Sequence, residues 1–509
     1  MVGVPGRSKG CVDCRKRKKG CDLVQPECGQ CKGRGIKCGG YDSDRIFIYQ
    51  QGALSRVAAL KTDRCATVKT SPTQPDLHDH QVVHHSKSTF AVQRCDARPT
   101  PVNLMLPQGL TKMAYSERTV AAFLEMYSPA GKIRNTNVDA RELFNLLPLL
   151  STRDEALQMA TLAVGMTQLG ITTGNESLTR HGRTLYGKAL KETAMALRNP
   201  ARASSKSLLI VPRIMGLFDM LYGAEPDSSN QAKSWLSHAE GELAMIISRG
   251  PEAFAVDDAA HMFFTTSRYR LLGPAIRARK PTIFDAQDWK TLPWKGRTKS
   301  YEDALMDIMC GIPELLWSVD KLQFTSLDTI EKEKLKLHTL SKCWTMHFQL
   351  ENWKSADPDS IYTPTFVDLY TILSFPNIDI ACLTVRYWLI CLFLYSSLDI
   401  ASGIDPATDY SLSHPDRPHP RPFARMITRS VDYFMQEKFG VTGLSAMWFP
   451  LGNTLFYMNR NRDADEAYII SVMKAWERPK LPSAMREFLK SFRMTVDLRT
   501  LSARPLCEL

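Results

Sequence analysis

Cys11-Val12-Asp13-Cys14-Arg15-Lys16-Arg17-Lys18-Lys19-Gly20-Cys21, followed by Cys28-Gly29-Gln30-Cys31-Lys32-Gly33-Arg34-Gly35-Ile36-Lys37-Cys38, is the stretch on which the reading of this 509-residue chain turns. Its six cysteines follow C-x2-C-x6-C twice, and the two halves are joined by six residues that include Pro26. A C-x2-C step lets two thiolates reach one ion across a tight turn, and sulfur ligands of this kind suit tetrahedral zinc. Two tetrahedral ions have eight ligand positions where six sulfurs are offered, so two of the cysteines must bridge. Each half is expected to form a short helix and a strand-like return. So small a segment cannot bury a core of its own, and the metal supplies its folding free energy. A disulfide framework is the competing use of such cysteines and needs an oxidising compartment. The opening MVGVPGRSKG lacks the apolar stretch of a secretory signal, so thiolate-bound zinc is the expectation.

Charge says what the metal site is for. Residues 1–40 carry ten Lys or Arg against three acids, a net of +7, while the whole chain is +12. A metal-stiffened helix bearing Arg15, Lys16, Arg17, Lys18 and Lys19 is an electrostatic footprint for a polyanion. Lys and Arg donors suit the O6 and N7 acceptors of guanine in the major groove. Single-stranded RNA recognition wants stacking aromatics, and residues 1–40 have none. That weighs against the alternative reading, a zinc-structured protein- or RNA-interaction module on a helical scaffold. A basic run of this kind also serves nuclear import, and the two roles are compatible.

With these residues in view, the segment resembles the fungal Zn2Cys6 binuclear-cluster transcription factors, whose signature is matched by CVDCRKRKKGC and CGQCKGRGIKC. The resemblance implies two zinc ions held by Cys11, Cys14, Cys21, Cys28, Cys31 and Cys38, with Cys11 and Cys28 bridging. It also implies that Lys18 reads guanine of a CGG triplet and that Arg15 and Arg17 hold phosphate or flank that contact. Gly20 departs from the family, which commonly has a Lys or another large residue there; the difference bears on affinity rather than on sequence choice. Farther on, Trp235 to Gly241, Ser248 to Pro251, Arg268, Arg279-Lys280-Pro281 and Trp289 look like the fungal-specific regulatory domain that accompanies such clusters. Trp235 and His238 are read first as packing residues.

Beyond Cys38, Arg45 to Tyr49 is β-like, and Leu54, Val57 and Leu60 offer little more than one heptad of a zipper. Dimerisation therefore rests on the C-terminal region or does not occur. Residues from about 61 to 107 are rich in Thr, Ser, Pro, His and charge, the composition of a disordered linker. Its His78, His80, His84 and His85 are read as solvated rather than as a second metal site. From residue 108 the periodicity is helical. Runs at 119–127, 155–169, 207–221 and 232–247 are amphipathic, and another is capped by Asn175 and ended by Pro200. Pro212 is expected to kink its helix. Ile380 to Leu398 approaches a membrane-spanning length but has Arg386 near its middle, and is read as a core helix. Gly403 to Pro422, with five prolines, is read as a surface loop. Cys310, Cys343, Cys382 and Cys391 are expected to be buried.

Catalytic motifs are missing. The chain has no H-E-x-x-H and no phosphate-binding G-x-x-x-x-G-K-[ST], and His238-Ala239-Glu240 lacks the downstream P-C-x-x-C of a zinc deaminase. The expectation is a mostly α protein: a two-zinc module at 1–45, a largely disordered linker at 46–107 and a large all-α regulatory domain at 108–509. The function expected is that of a nuclear, sequence-specific regulator of RNA polymerase II genes, not an enzyme. Its expected partners are double-stranded DNA, a second copy, and transcription machinery or co-regulators, with no membrane. Family members of this layout often govern secondary-metabolite gene clusters.

Overall fold

The computed structural model describes residues 11–22, 24, 27–36, 38, 108–127, 129, 147–151, 153–223, 228–364, 372–404, 416–459 and 462–476. The expected β-like run at 45–49, the heptad positions, the linker and its histidines lie outside these residues. The chain divides into two compact units, Met1–Thr100 and Pro101–Leu509.

In the first unit, helices Val12–Lys16 and Gly29–Lys32 each begin at a cysteine. Cys11 Sγ accepts from the Cys14 backbone N–H at 3.4 Å, and Cys28 Sγ accepts from that of Cys31 at 3.3 Å. The sequence repeat is thus a structural repeat, with sulfur doing the work usually given to a Ser or Asp cap. Among the described residues of this unit the two helices are the regular structure, and no strand-like return forms. The expected five-cation helix also needs correction. It ends at Lys16, and Arg17 to Lys19 form the turn that closes it.

Among its described residues, the regular structure of the second unit is all helical. Helices Glu155–Thr173 and Glu176–Leu197 form a hairpin. Gly174, at φ +66°, reverses the chain, and Asn175 caps the second helix by accepting from Ser177 and Leu178 N–H. The pair is close because of glycine: a Cβ on Gly182 would lie 2.8 Å from the Thr167 backbone nitrogen. Pro200 ends that run as expected and opens a short helix behind the Asn199 cap. The 206–222 helix continues through Pro212 and is buried from Ser207 to Tyr222.

At the centre lies helix Ile378–Ala401, long and apolar enough to cross a membrane but buried inside the unit. A helix apolar all round is a core helix when protein surrounds it. Its one cation, Arg386, pairs with Glu302 and stacks 4.3 Å over the Tyr269 ring. Cys310, Cys343, Cys382 and Cys391 are all buried, and burial pushes the thiols of Cys310 and Cys343 up to about 12. The expected loop to Pro422 is shorter than read. Pro420 starts helix Pro420–Arg429, with His419 as its cap. Proline in a first turn removes a donor that would have had no partner there, so this proline-rich stretch begins a helix rather than forbidding one.

Candidate metal centre and nucleic-acid interface

The six cysteines gather into two overlapping tetrads. Cys11, Cys14, Cys21 and Cys28 form one, Cys11, Cys28, Cys31 and Cys38 the other, and within each all sulfurs lie within 4.8 Å of one another. Cys11 and Cys28 belong to both, which is the arrangement of two bridges that six sulfurs around two ions require. Cys11 Sγ lies 3.6 Å from Cys28 Sγ and 3.7 Å from Cys31 Sγ, and Cys14 Sγ lies 3.7 Å from Cys28 Sγ. Sulfurs about 2.3 Å from a tetrahedral ion stand about 3.8 Å apart, whereas a disulfide would bring them to about 2.05 Å. The donor set therefore fits zinc and excludes disulfide pairing in this geometry.

Backbone amides prepare the sulfurs for charge. Besides the two cap bonds, the Cys11 N–H donates to Cys21 Sγ at 3.4 Å. The Cys14 N–H draws the Cys11 thiol down to about 6, while burial pushes Cys31 up to about 12 and holds Cys28 above the ordinary thiol range. Zinc overrides such burial by binding the thiolate and releasing the proton. Two dications among six thiolates leave the core net anionic, and Arg17 answers that charge. Its Nη2 donates to Cys31 Sγ at 3.5 Å and reaches to 3.9 Å from Cys14 Sγ, while its Nε donates to the Asp13 carbonyl at 3.1 Å. Asp22 ties the halves together, accepting from the Gly29 N–H at 2.8 Å.

Of the run Arg15 to Lys19, Lys16, Lys18 and Lys19 are exposed and Arg17 is half-buried over the sulfurs. Lys18 carries a feature that sequence reasoning did not foresee. It sits at φ 52°, in left-handed backbone where glycine is usual. Lys19 N–H donates to the Cys14 carbonyl at 3.0 Å, closing the turn that ends the first helix. No glycine marked this turn in the sequence, so the change of direction between Lys16 and Lys19 was not legible there.

The motif residues of the helical unit are structural. Arg268, 1% exposed, donates to Asp303 and Asp307, each at 2.6 Å, and stacks 4.4 Å over Trp294. Trp289 packs on Phe254, Phe264 and Phe284. His238 Nε2 lies 3.0 Å from the Tyr186 hydroxyl and 3.1 Å from Asp219. Trp235 packs edge-to-face on Trp448 at 5.4 Å.

A bimetallic cysteine cluster with a basic turn, followed by an all-helical unit, defines the class of zinc-cluster DNA-binding transcription regulators. A family model of the fungal Zn(2)-Cys(6) binuclear cluster domain matches residues 9–45. A model of the fungal specific transcription factor domain matches residues 140–410, more than half of the chain. The chain belongs to the fungal-specific transcription factor family, with a zinc cluster domain that binds two zinc ions. No curated protein and no solved structure matches it significantly.

Proposed function

We propose that this regulator reads CGG-like triplets of double-stranded DNA in the nucleus, through a module at 1–45, joined by a linker at 46–107 to a regulatory domain at 108–509. In this reading Cys11, Cys14, Cys21, Cys28, Cys31 and Cys38 hold the two ions, and Lys18 donates to guanine. Arg15, Lys16 and Lys19 hold phosphates that set the register, while Arg17 serves the cluster first and the DNA second. The observation that carries the reading is Lys18: a long cationic side chain kept, exposed, at a backbone position that disfavours it. Such outliers persist where function needs them. The regulated genes are proposed to form a secondary-metabolite cluster, on the family layout alone.

A module of this size buries only about 600–1,000 Å² on DNA, too little for high affinity by itself. A second copy supplies the rest. Ile330, Leu337 and Phe348 are 81%, 59% and 61% exposed on helix Thr329–Ala356. Their spacing places them on one helical face, which suits pairing with its copy. Co-regulators then act through the helical domain.

The test is selection of the zinc-loaded full chain on a random duplex library at two salt concentrations, with and without chelation. Enrichment of CGG triplets that disappears on chelation supports the reading, and paired triplets at fixed spacing support the dimer. Salt-sensitive binding with no enriched sequence sinks the base-reading role and favours the interaction-module alternative.

A further inference from the structure

A cavity of about 130 Å³ opens in the helical unit where Tyr127 and residues 442–449, outside the matched family segment, close over residues inside it. Its walls are aromatic: Trp235, Tyr269, Trp448 and Phe449, with the rings of Trp235 and Trp448 edge-to-face at 5.4 Å. Two guanidinium groups, Arg213 and Arg270, also line it. They share one fully buried carboxylate. Glu242 Oε1 accepts from Arg213 Nη2 at 3.2 Å and from Ser267 Oγ at 2.7 Å, and Oε2 meets Arg270. Arg268, on the same helix, does not draw on Glu242: it pairs with Asp303 and with Asp307, the latter shared with Lys299. The cavity walls therefore hold an uncompensated positive charge.

Donors are left over as well. Among the described residues, Arg213 Nε, Arg270 Nε and the Tyr269 hydroxyl are buried and make no hydrogen bond. Buried donors without acceptors are rare in folded proteins and mark strain or an absent partner. Burial and the neighbouring Arg213 charge hold Arg270 well below its ordinary value, and burial brings Arg213 down to about 10. An anion between them would relieve both.

We propose that this cavity binds a small aromatic carboxylate, its single ring held between the Trp and Phe walls and its carboxylate gripped by Arg270 and the Tyr269 hydroxyl. An apolar cavity of about 150 Å³ accepts benzene, so the volume limits the ligand to one ring. Flat aromatic faces reward stacked and edge-to-face contacts, and a guanidinium fork matches a carboxylate in two parallel bonds. The inference goes beyond the DNA-reading role and does not depend on it, because its assay contains no DNA.

Calorimetric titration of the zinc-loaded full chain with sodium benzoate and with benzamide tests the site. Saturable one-to-one binding of benzoate, with the neutral benzamide at least tenfold weaker, is expected, because only the anion answers the spare charge. Arg270→Met should weaken benzoate at least tenfold while leaving benzamide unchanged. Gly273→Ala gives a second handle that does not touch the charge. A Cβ there meets Phe449 at 3.5 Å, an ordinary contact, so the fold tolerates it while the cavity narrows and both ligands weaken. Equal affinity for benzoate and benzamide in the wild-type protein overturns the proposal. So does the absence of saturable benzoate binding by the folded chain, or benzoate binding that neither variant changes.

Discussion

Lys18 in the cluster unit and Arg279 in the helical unit both adopt left-handed backbone, at φ 52° and 50°, and among the described residues no other non-glycine does. Each stands just past a helix. The turn at Lys18 is closed by Lys19 N–H to the Cys14 carbonyl, and the turn at Arg279 by Lys280 N–H to the Ala275 carbonyl at 3.1 Å. Glycine would make either turn without the roughly 1 kcal/mol that a side chain costs there. Arg279 has a reason inside the molecule: its Nε lies 3.4 Å from Asp320, and both side chains are about four-fifths covered. Lys18 is exposed and, among the described residues, its Nζ makes no hydrogen bond or ion pair. The same device therefore serves packing in one unit and points outward in the other. The difference teaches that basic residues in this chain must be judged by where their charge is spent, not by their number.

If the helical unit spends its cations internally, the largest effect should come from Arg268. Arg268→Met takes the counter-charge from Asp303 and leaves Asp307 with Lys299 alone, and breaking so covered a pair typically costs about 3–5 kcal/mol. A drop in the thermal midpoint of the helical unit, with DNA sequence preference intact, is expected. An unchanged midpoint would break the contrast between the units.

The paired substitutions Lys18→Gly and Arg279→Gly test the contrast directly. Both relax the backbone. Lys18→Gly should leave zinc content and folding intact while reducing discrimination of CGG from mutated triplets by about 1–3 kcal/mol in competition binding. Arg279→Gly should leave DNA selection alone and shift stability by less than about 1 kcal/mol, since relief of strain offsets the lost Asp320 pair. Should Lys18→Gly leave discrimination unaltered, base reading must be reassigned to another residue of the turn.

His419 gives a smaller, pH-dependent effect. Its Nδ1 accepts from the Arg421 N–H at 3.1 Å as a helix cap, a role only the neutral ring can fill. Burial, with Arg421, Arg417 and Arg425 nearby, lowers it to about 4, with Asp465 pulling the other way. A histidine depressed in the folded state contributes stability that is present above about 6.5 and lost as pH falls toward 4. The helical unit should therefore melt earlier across that window by about the value of one cap, near 1 kcal/mol. His419→Asn keeps the acceptor without the titration, so its melting temperature should fall less steeply over the same window.

Much of this was legible beforehand, and the failures have physical causes. The cysteine spacing specified two tetrads because ligand number and reach leave little freedom, and Asn175, Pro200 and the buried cysteines stand where pattern put them. Three features were not readable. The left-handed turn at Lys18 lacked the glycine that announces such turns. The stretch to Pro422 reads as a surface loop, yet Pro420 opens a helix, because composition does not tell a first turn from an interior one. The cavity around Arg270 is assembled from Trp235, Tyr269 and Trp448, which lie too far apart in sequence for any local pattern to join them.

Gly20→Lys sharpens the comparison with the smallest change. Gly20 is exposed in the cluster unit, and a Cβ there meets nothing within 4 Å, so a side chain can be added without disturbing the sulfurs. A lysine next to Lys19 adds one cation to an outward-facing turn. If that turn lies along DNA, one further phosphate is neutralised and one more condensed counterion released. The slope of log affinity against log salt then steepens by about 0.9, while the enriched triplet stays the same because phosphate carries no sequence information. A lysine that raises affinity for all duplexes alike confirms that the turn tracks the backbone. One that leaves the slope unchanged places residue 20 off the DNA, and with it the outer edge of the proposed interface.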